Sequence, residues 1–218
     1  MKNLGLEYVD LYLIHWPLKF KCKQIKVPVS KDCVAAIDIK VVWEAMEECQ
    51  NLGYTKSIGV SNFSSRRIQE ILSFAKITPA VNQVEMNPLW QQKHLNEFCK
   101  ENDILLTAYC PLAGVTSAWG NNTVIDCDVL QEIANCKGKT TAQISLRWLY
   151  EQGVSFVVKS FNSDRMKQNL DIFSWSLSEV ELKKISQIPQ QKLIHLVGMV
   201  VTELNEVITE ITEELSFQ

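Results

Sequence analysis

The sequence predicts an α/β fold in which a parallel β-sheet is covered by helices. Three observations lead there. Five short apolar runs, residues 8–15, 56–61, 80–85, 104–109 and 154–158, alternate with stretches of helical periodicity. The runs are apolar at consecutive positions rather than at every second one, the pattern of strands buried on both faces, and strands joined by helix-length crossovers run parallel. Each run also gives way to polar or aromatic residues at its C-terminal end: His15-Trp16, Ser61-Asn62, Gln83 with Glu85, Tyr109-Cys110 and Lys159-Ser160. In a parallel α/β barrel, chemistry collects at those ends.

The first run, Y-V-D-L-Y-L-I-H, stops at Trp16-Pro17, because proline offers no N–H to a ladder. Residues 18–37 then read as a long loop containing Pro28. Asp38 can cap a helix with Val41, Val42, Ala45, Met46 and Cys49 inward, Glu44, Glu47 and Glu48 outward, and Gly53 as its stop. Lys56–Ser61 is the second strand, and Ser65–Ala75 a helix with Ile68, Ile71 and Leu72 inward. Ala80–Glu85 and a helix over Gln92–Asn102 repeat the unit. Ile104–Tyr109 is closed by Pro111, and a loop carrying Trp119 precedes the helical Val129–Cys136. Thr140 with Gln143 forms a capping-box pattern opening a helix with Ile144, Leu146, Trp148 and Leu149. Val154–Val158 is the fifth strand, and Ser178 with Glu181 opens a last short helix to about Ile188.

Composition narrows the function classes. The 218 residues are 46% hydrophobic and 22% charged, ordinary for a globular chain. A net charge of −3 and a pI near 5.7, with no basic run beyond Lys19–Lys26, argue against nucleic-acid binding. No apolar run approaches a membrane span and the N-terminus lacks signal architecture, so no membrane partner is expected. The seven cysteines show no CxxC or Cys/His ligand spacing; mostly reduced thiols in a cytoplasmic protein, and no metal site, are expected.

The stretch Val154–Asn169 is the most informative. A strand runs into Lys159 and Ser160, and Ser163-Asp164 can cap a helix with Arg165 one turn in. A cation, a hydroxyl and the free N–H groups of a helix N-terminus are equipment for holding a phosphate. The alternative is an ordinary charged surface turn.

Four segments, L-Y-L-I-H-W-P, S-I-G-V-S-N-F, V-N-Q-V-E-M-N-P and V-V-K-S-F-N-S-D-R-M-K-Q-N, resemble the aldo-keto reductase superfamily in order and separation. The resemblance covers residues 1–190, and M-E-E-C-Q, N-P-L-W-Q-Q and L-R-W-L-Y-E-Q-G are similar to its plant branch of chalcone, codeinone and methylecgonone reductase-like enzymes. It implies a (β/α)8 TIM barrel that binds NADPH and reduces a small-molecule carbonyl to an alcohol. By position, Ser61, Asn62 and Gln83 would hydrogen-bond the nicotinamide carboxamide and Tyr109 would stack on its ring. Cys110, where serine is common in the family, and Leu112 would run along the pyrophosphate. Lys159, Ser160, the Phe161 backbone and Arg165 would hold the 2′-phosphate, with Gln168 and Asn169 at the adenine. His15 matches the histidine that orients the substrate carbonyl, and Trp16 and Trp119 would line the substrate mouth.

The family's catalytic Asp, Tyr and Lys precede the matched segments, so His15 alone of that tetrad is expected here. The expectation is a truncated, partial barrel of about five βα units, strands 4–8 of eight, over residues 1–190, impaired or inactive as an enzyme. The open alternatives are a nucleotide- or partner-binding remnant and an incomplete gene model of an active reductase. Over residues 191–218 the sequence diverges. Val201, Leu204, Ile208, Ile211 and Leu215 form an apolar stripe between glutamates, read as an amphipathic helix that either packs on its own barrel or joins exposed barrel edges in self-association.

Overall fold

The computed structural model describes residues 2–22, 33–113 and 122–192. Trp119 and the apolar stripe of residues 201–215 lie outside them. The described chain divides into two compact units, residues 2–83 with 94–105, and 84–93 with 106–192.

In the first unit, β1 (Val9–Ile14) pairs in parallel with β4 (Thr55–Ser61), which pairs with β5 (Val81–Glu85) through Val60↔Asn82 and Ser61↔Gln83. Between β1 and β4 lie β2 (Leu18–Phe20), β3 (Val34–Ala36) and helix α1 (Ile39–Asn51). Two strands stand within the expected long loop over 18–37. Its ends form an antiparallel hairpin in the register Leu18↔Ala36, Lys19↔Ala35 and Phe20↔Val34, and Cys22 is disulfide-bonded to Cys33. Scattered spacing gave no sign of that pair, whose partners meet only once the chain reverses. The other five cysteines are free.

Asp38 does cap α1, its carboxylate accepting from the Val41 N–H at 3.2 Å. The inward face differs from the expected one. Ile39, Trp43, Met46 and Glu47 are buried, while Val41 and Ala45 are exposed. Two apolar stripes compete on this helix, and the one containing the Trp43 indole removes more apolar surface from water. The indole N–H donates to the Ile77 carbonyl at 3.1 Å. Glu47, expected outward, turns inward because its Oε1 accepts from the backbone N–H groups of Lys76 and Ile77 at 2.7 and 2.9 Å. Helices α2 (Ser65–Leu72), with Ile68 and Ile71 fully buried, and α3 (Lys93–Glu101) complete this unit.

Gly59 in β4 marks a close approach: a Cβ there would lie 2.5 Å from the Val81 carbonyl oxygen and 2.9 Å from Leu13 Cδ2. Neither the β5 backbone nor the packed leucine can yield without parting strands. Gly59→Ala is therefore expected to destabilise the fold by about 1–3 kcal/mol. Chemical denaturation checks this, and an unchanged midpoint would contradict it.

The second unit holds β6 (Leu105–Tyr109), α4 (Asp128–Lys137), α5 (Thr141–Glu151), β7 (Ser155–Phe156), α6 (Ser163–Leu170) and α7 (Glu179–Ser186). The capping boxes at Thr140/Gln143 and Ser178/Glu181 both form. Gly138, at φ +62°, closes α4 in the left-handed conformation that glycine adopts without strain. Leu130, Ile133, Ile144, Leu146, Leu149, Ile172 and Ile185 build the core. The fifth strand is shorter than expected. Only Ser155 and Phe156 pair in parallel, with Thr107 and Ala108, and Val157 adds one bond to the Ala108 carbonyl. Among the described residues it pairs with β6 alone. Helix α6 is capped by Asn162, whose Oδ1 accepts from the Arg165 N–H at 2.9 Å, rather than by Ser163 or Asp164.

The parallel strands of the first unit follow the order β1-β4-β5, and in the second β6 neighbours β7. No helix among the described residues is long and apolar enough to cross a membrane.

Candidate functional site

In the first unit, the C-terminal ends of β1, β4 and β5 are tied by a polar network. Ser61 Oγ donates to the Gln83 carbonyl at 2.8 Å, and the Asn62 N–H donates to the same oxygen at 2.9 Å. Asn62 Nδ2 donates to the His15 carbonyl at 2.9 Å and to Ser61 Oγ at 3.1 Å. Asn62 can do this because its backbone is left-handed, φ +64°, which turns the chain sharply off the strand end. Asparagine tolerates that region better than most residues. The His15 ring is exposed, 6.1 Å from the half-buried Trp16 ring and tilted 42° to it. Sequence reasoning selected His15, Trp16, Ser61, Asn62 and Gln83, and the fold brings them together.

In the second unit, Leu112, Lys159, Ser160, Arg165, Gln168 and Asn169 line one cavity of about 600 Å³. Cys110 and Phe161 line an adjoining cavity of about 470 Å³ that shares Leu112, Lys159, Ser160 and Arg165. Lys159 Nζ lies 3.9 Å from the centroid of the exposed Phe161 ring. Among the described residues, no carboxylate forms an ion pair with Lys159 or Arg165. Ser160 Oγ accepts from the Asn162 N–H at 3.1 Å, shaping the turn into α6. Two cations with no ion pair among the described residues, a hydroxyl and a helix start on one cavity suit a phosphate monoester. On donor chemistry the residues fit the phosphorylated end of a dinucleotide.

Tyr109 and Cys110 stand at the end of β6. Burial, reinforced by the negative charge of the buried Glu85, holds the Tyr109 phenol well above its ordinary range. The same two causes raise the Cys110 thiol. Cys110 is left-handed, φ +48°, a conformation costly for a residue with a Cβ and one that concentrates at functional turns. No sequence signal marked that strain at Cys110. Also missed were cavity-lining residues from the α4–α5 corner, Asn135, Lys139 and Thr140. The Gly138 stop followed by the Thr140 cap fixes that corner, a signal available in the sequence but not tied to a site.

Thiol reactivity should follow these environments. Cys99 is fully buried and pushed up to about 12, and Cys110 is raised, whereas Cys136 is exposed. A thiol held above its ordinary pKa keeps its proton as pH rises, so it offers less nucleophilic thiolate near pH 8. Iodoacetamide at pH 8 is expected to label Cys136 before Cys110, and Cys110 before Cys99, as read by peptide mass spectrometry. Equal rates would contradict the burial of both groups.

The sequence profile of the Aldo/keto reductase family matches residues 1–190. The chain is 52% identical to the D-galacturonate reductase of Fragaria ananassa over 215 residues, 99% of this chain and 67% of that protein. It is 57% identical to the NAD(P)H-dependent 6′-deoxychalcone synthase of Glycine max, covering 89% of this chain and 61% of that protein. With the NADPH-dependent codeinone reductase 1-4 of Papaver somniferum it shares 52% identity, covering 88% and 60%. Among solved structures, the aldose reductase from Schistosoma japonicum superposes with a TM-score of 0.80 at 32% identity, over 91% of this chain and 64% of that one. The aldo-keto reductase of Bombyx mori in complex with NADP gives 0.78 at 34% identity, over 90% and 62%. The chain thus spans about 60–67% of the length of these relatives.

Proposed function

The chain belongs to the aldo/keto reductase family, and on that premise we propose that it is an NADPH-type oxidoreductase chain whose 218 residues bind the nucleotide but are impaired in carbonyl reduction. The observation carrying this reading is the pair Lys159 and Arg165, two cations without an acid partner among the described residues, on one cavity. They would bind the 2′-phosphate, with Ser160 and the backbone of Phe161 beside it and Gln168 and Asn169 toward the adenine. Cys110 and Leu112 would contact the pyrophosphate. Ser61, Asn62 and Gln83 would orient the carboxamide, and Tyr109 would stack against the ring. The nicotinamide, when bound, supplies the hydride. His15, with its carbonyl held by Asn62, would orient a small-molecule carbonyl, and Trp16 and Trp119 would shape the opening to it. Saturable NADPH binding by the chain tests this reading, and its absence would refute it.

The five parallel strands are read as part of a (β/α)8 barrel, with residues 1–190 as the reductase portion and 191–218 a divergent segment. Two features support open edges. Tyr8, Leu11 and Tyr12 are exposed on and beside the edge strand β1, and no residue of α6 is buried, leaving Met166 and Leu170 in water. Apolar edge surface of this kind associates. The isolated chain is therefore expected to self-associate at micromolar concentration by light scattering, and a strict monomer would contradict the open-edge reading. A cytoplasmic setting is supported by the five free thiols.

A further inference from the structure

We propose that the Cys22–Cys33 disulfide is a reversible thiol switch, the substrate of a dithiol reductant, that fixes or releases the hairpin leading out of the His15 end of β1. The two cysteines sit just beyond the paired residues of β2 and β3, with Cα atoms 5.1 Å apart. The Lys21 N–H donates to the Cys33 carbonyl at 2.7 Å, so the cross-link continues the ladder by one more step. The hairpin is a separate two-stranded sheet of three residue pairs. Such a ribbon is marginal on its own.

Its anchors lie at one end and one side. Pro17, Leu18 and Val34 are buried, whereas Lys19 and Phe20 face water. At the end farthest from His15, the ties among the described residues are the buried Val34, the Lys21–Cys33 hydrogen bond and the disulfide. Both cysteines are half-buried rather than enclosed, which leaves a sulfur open to attack. The remaining five cysteines are unpaired, and the two most shielded, Cys99 and Cys110, are poor competitors for exchange.

The exchange balances as follows. A thiolate of the reductant attacks one sulfur of the pair and the Cys22–Cys33 bond breaks. The displaced sulfur leaves as a thiolate and takes up a proton. The reductant's second thiol then resolves the mixed disulfide, so that two electrons and two protons reach Cys22 and Cys33 while the reductant becomes a disulfide.

The test uses the full chain, air-oxidised or treated with dithiothreitol, beside a Cys22→Ser/Cys33→Ser double variant. Thiols titrated after unfolding should number five in the oxidised protein and seven after reduction. Hydrogen exchange over residues 18–22 and 33–36 should quicken roughly tenfold or more on reduction, since the cross-link's constraint on the opened hairpin is lost. The double variant should exchange at the fast rate with or without reductant, with α1 unchanged throughout. Seven thiols after oxidation, or equal hairpin exchange in the two states, would overturn the switch. A chain that shows the thiol and exchange changes yet fails to bind NADPH would support the switch while refuting the nucleotide reading.

Discussion

The 218-residue chain is expected to show no reduction of aldehydes or ketones by NADPH above that of a His15→Ala control. Carbonyl reduction of this type needs a proton delivered to the developing alkoxide, and a positioned general acid contributes about 10²–10⁴-fold. None of the five tyrosines is placed to supply it. Tyr12, Tyr54 and Tyr150 are exposed. Tyr109 ends β6, but burial and the Glu85 charge bind its proton more tightly, the wrong direction for an acid. Tyr8 comes closest in chemistry: Lys56 Nζ lies 4.5 Å from its ring centroid and 2.7 Å from Asp10 Oδ1. That trio sits in solvent where β1 begins, whereas His15 lies just beyond the strand's far end, about 20 Å away at ~3.3 Å per residue. It is a surface cluster and cannot protonate a carbonyl oriented by His15. Following NADPH absorbance with a panel of aldehydes and ketones checks this, and turnover exceeding the control would defeat it.

Arg165→Ala is expected to weaken NADPH binding by roughly 10- to 150-fold while leaving NADH nearly untouched. Each charge-assisted contact to the 2′-phosphate contributes about 1.5–3 kcal/mol. NADH lacks that phosphate, so it cannot lose the contact. The wild type should prefer NADPH by a comparable factor. Because a phosphate monoester gains its second charge near pH 6, the preference should shrink as pH falls through about 6. Fluorescence titrations of both nucleotides against both proteins measure it, and equal wild-type affinities would reject the assigned phosphate residues.

Much of this was legible in the sequence because strand ends announce themselves. The apolar runs stop at His15, Asn62, Tyr109 and Lys159, and the capping signals at Asp38, Thr140 and Ser178 set helix starts that the fold keeps. Other features needed three dimensions. Glu47 faces inward because two backbone N–H groups from residues nearly thirty positions away meet its carboxylate. Cys22 and Cys33 pair because β2 and β3 reverse the chain, and no local pattern encodes that reversal. The α1 stripe differs from the expected one because roughly a third of a turn of rotation exchanges Val41 and Ala45 for Trp43 and Glu47. Only burial decides between them.

The proposed nucleotide site at the C-terminal ends of these strands is tested by hydrogen exchange of the chain with and without saturating NADPH. Slowed exchange is predicted in two places, around Ser61, Asn62 and Gln83 and across Lys159–Asn169, with the Arg165→Ala variant losing both at the same nucleotide concentration. Protection confined to other segments, or no protection at a concentration that saturates any measured binding, would contradict it.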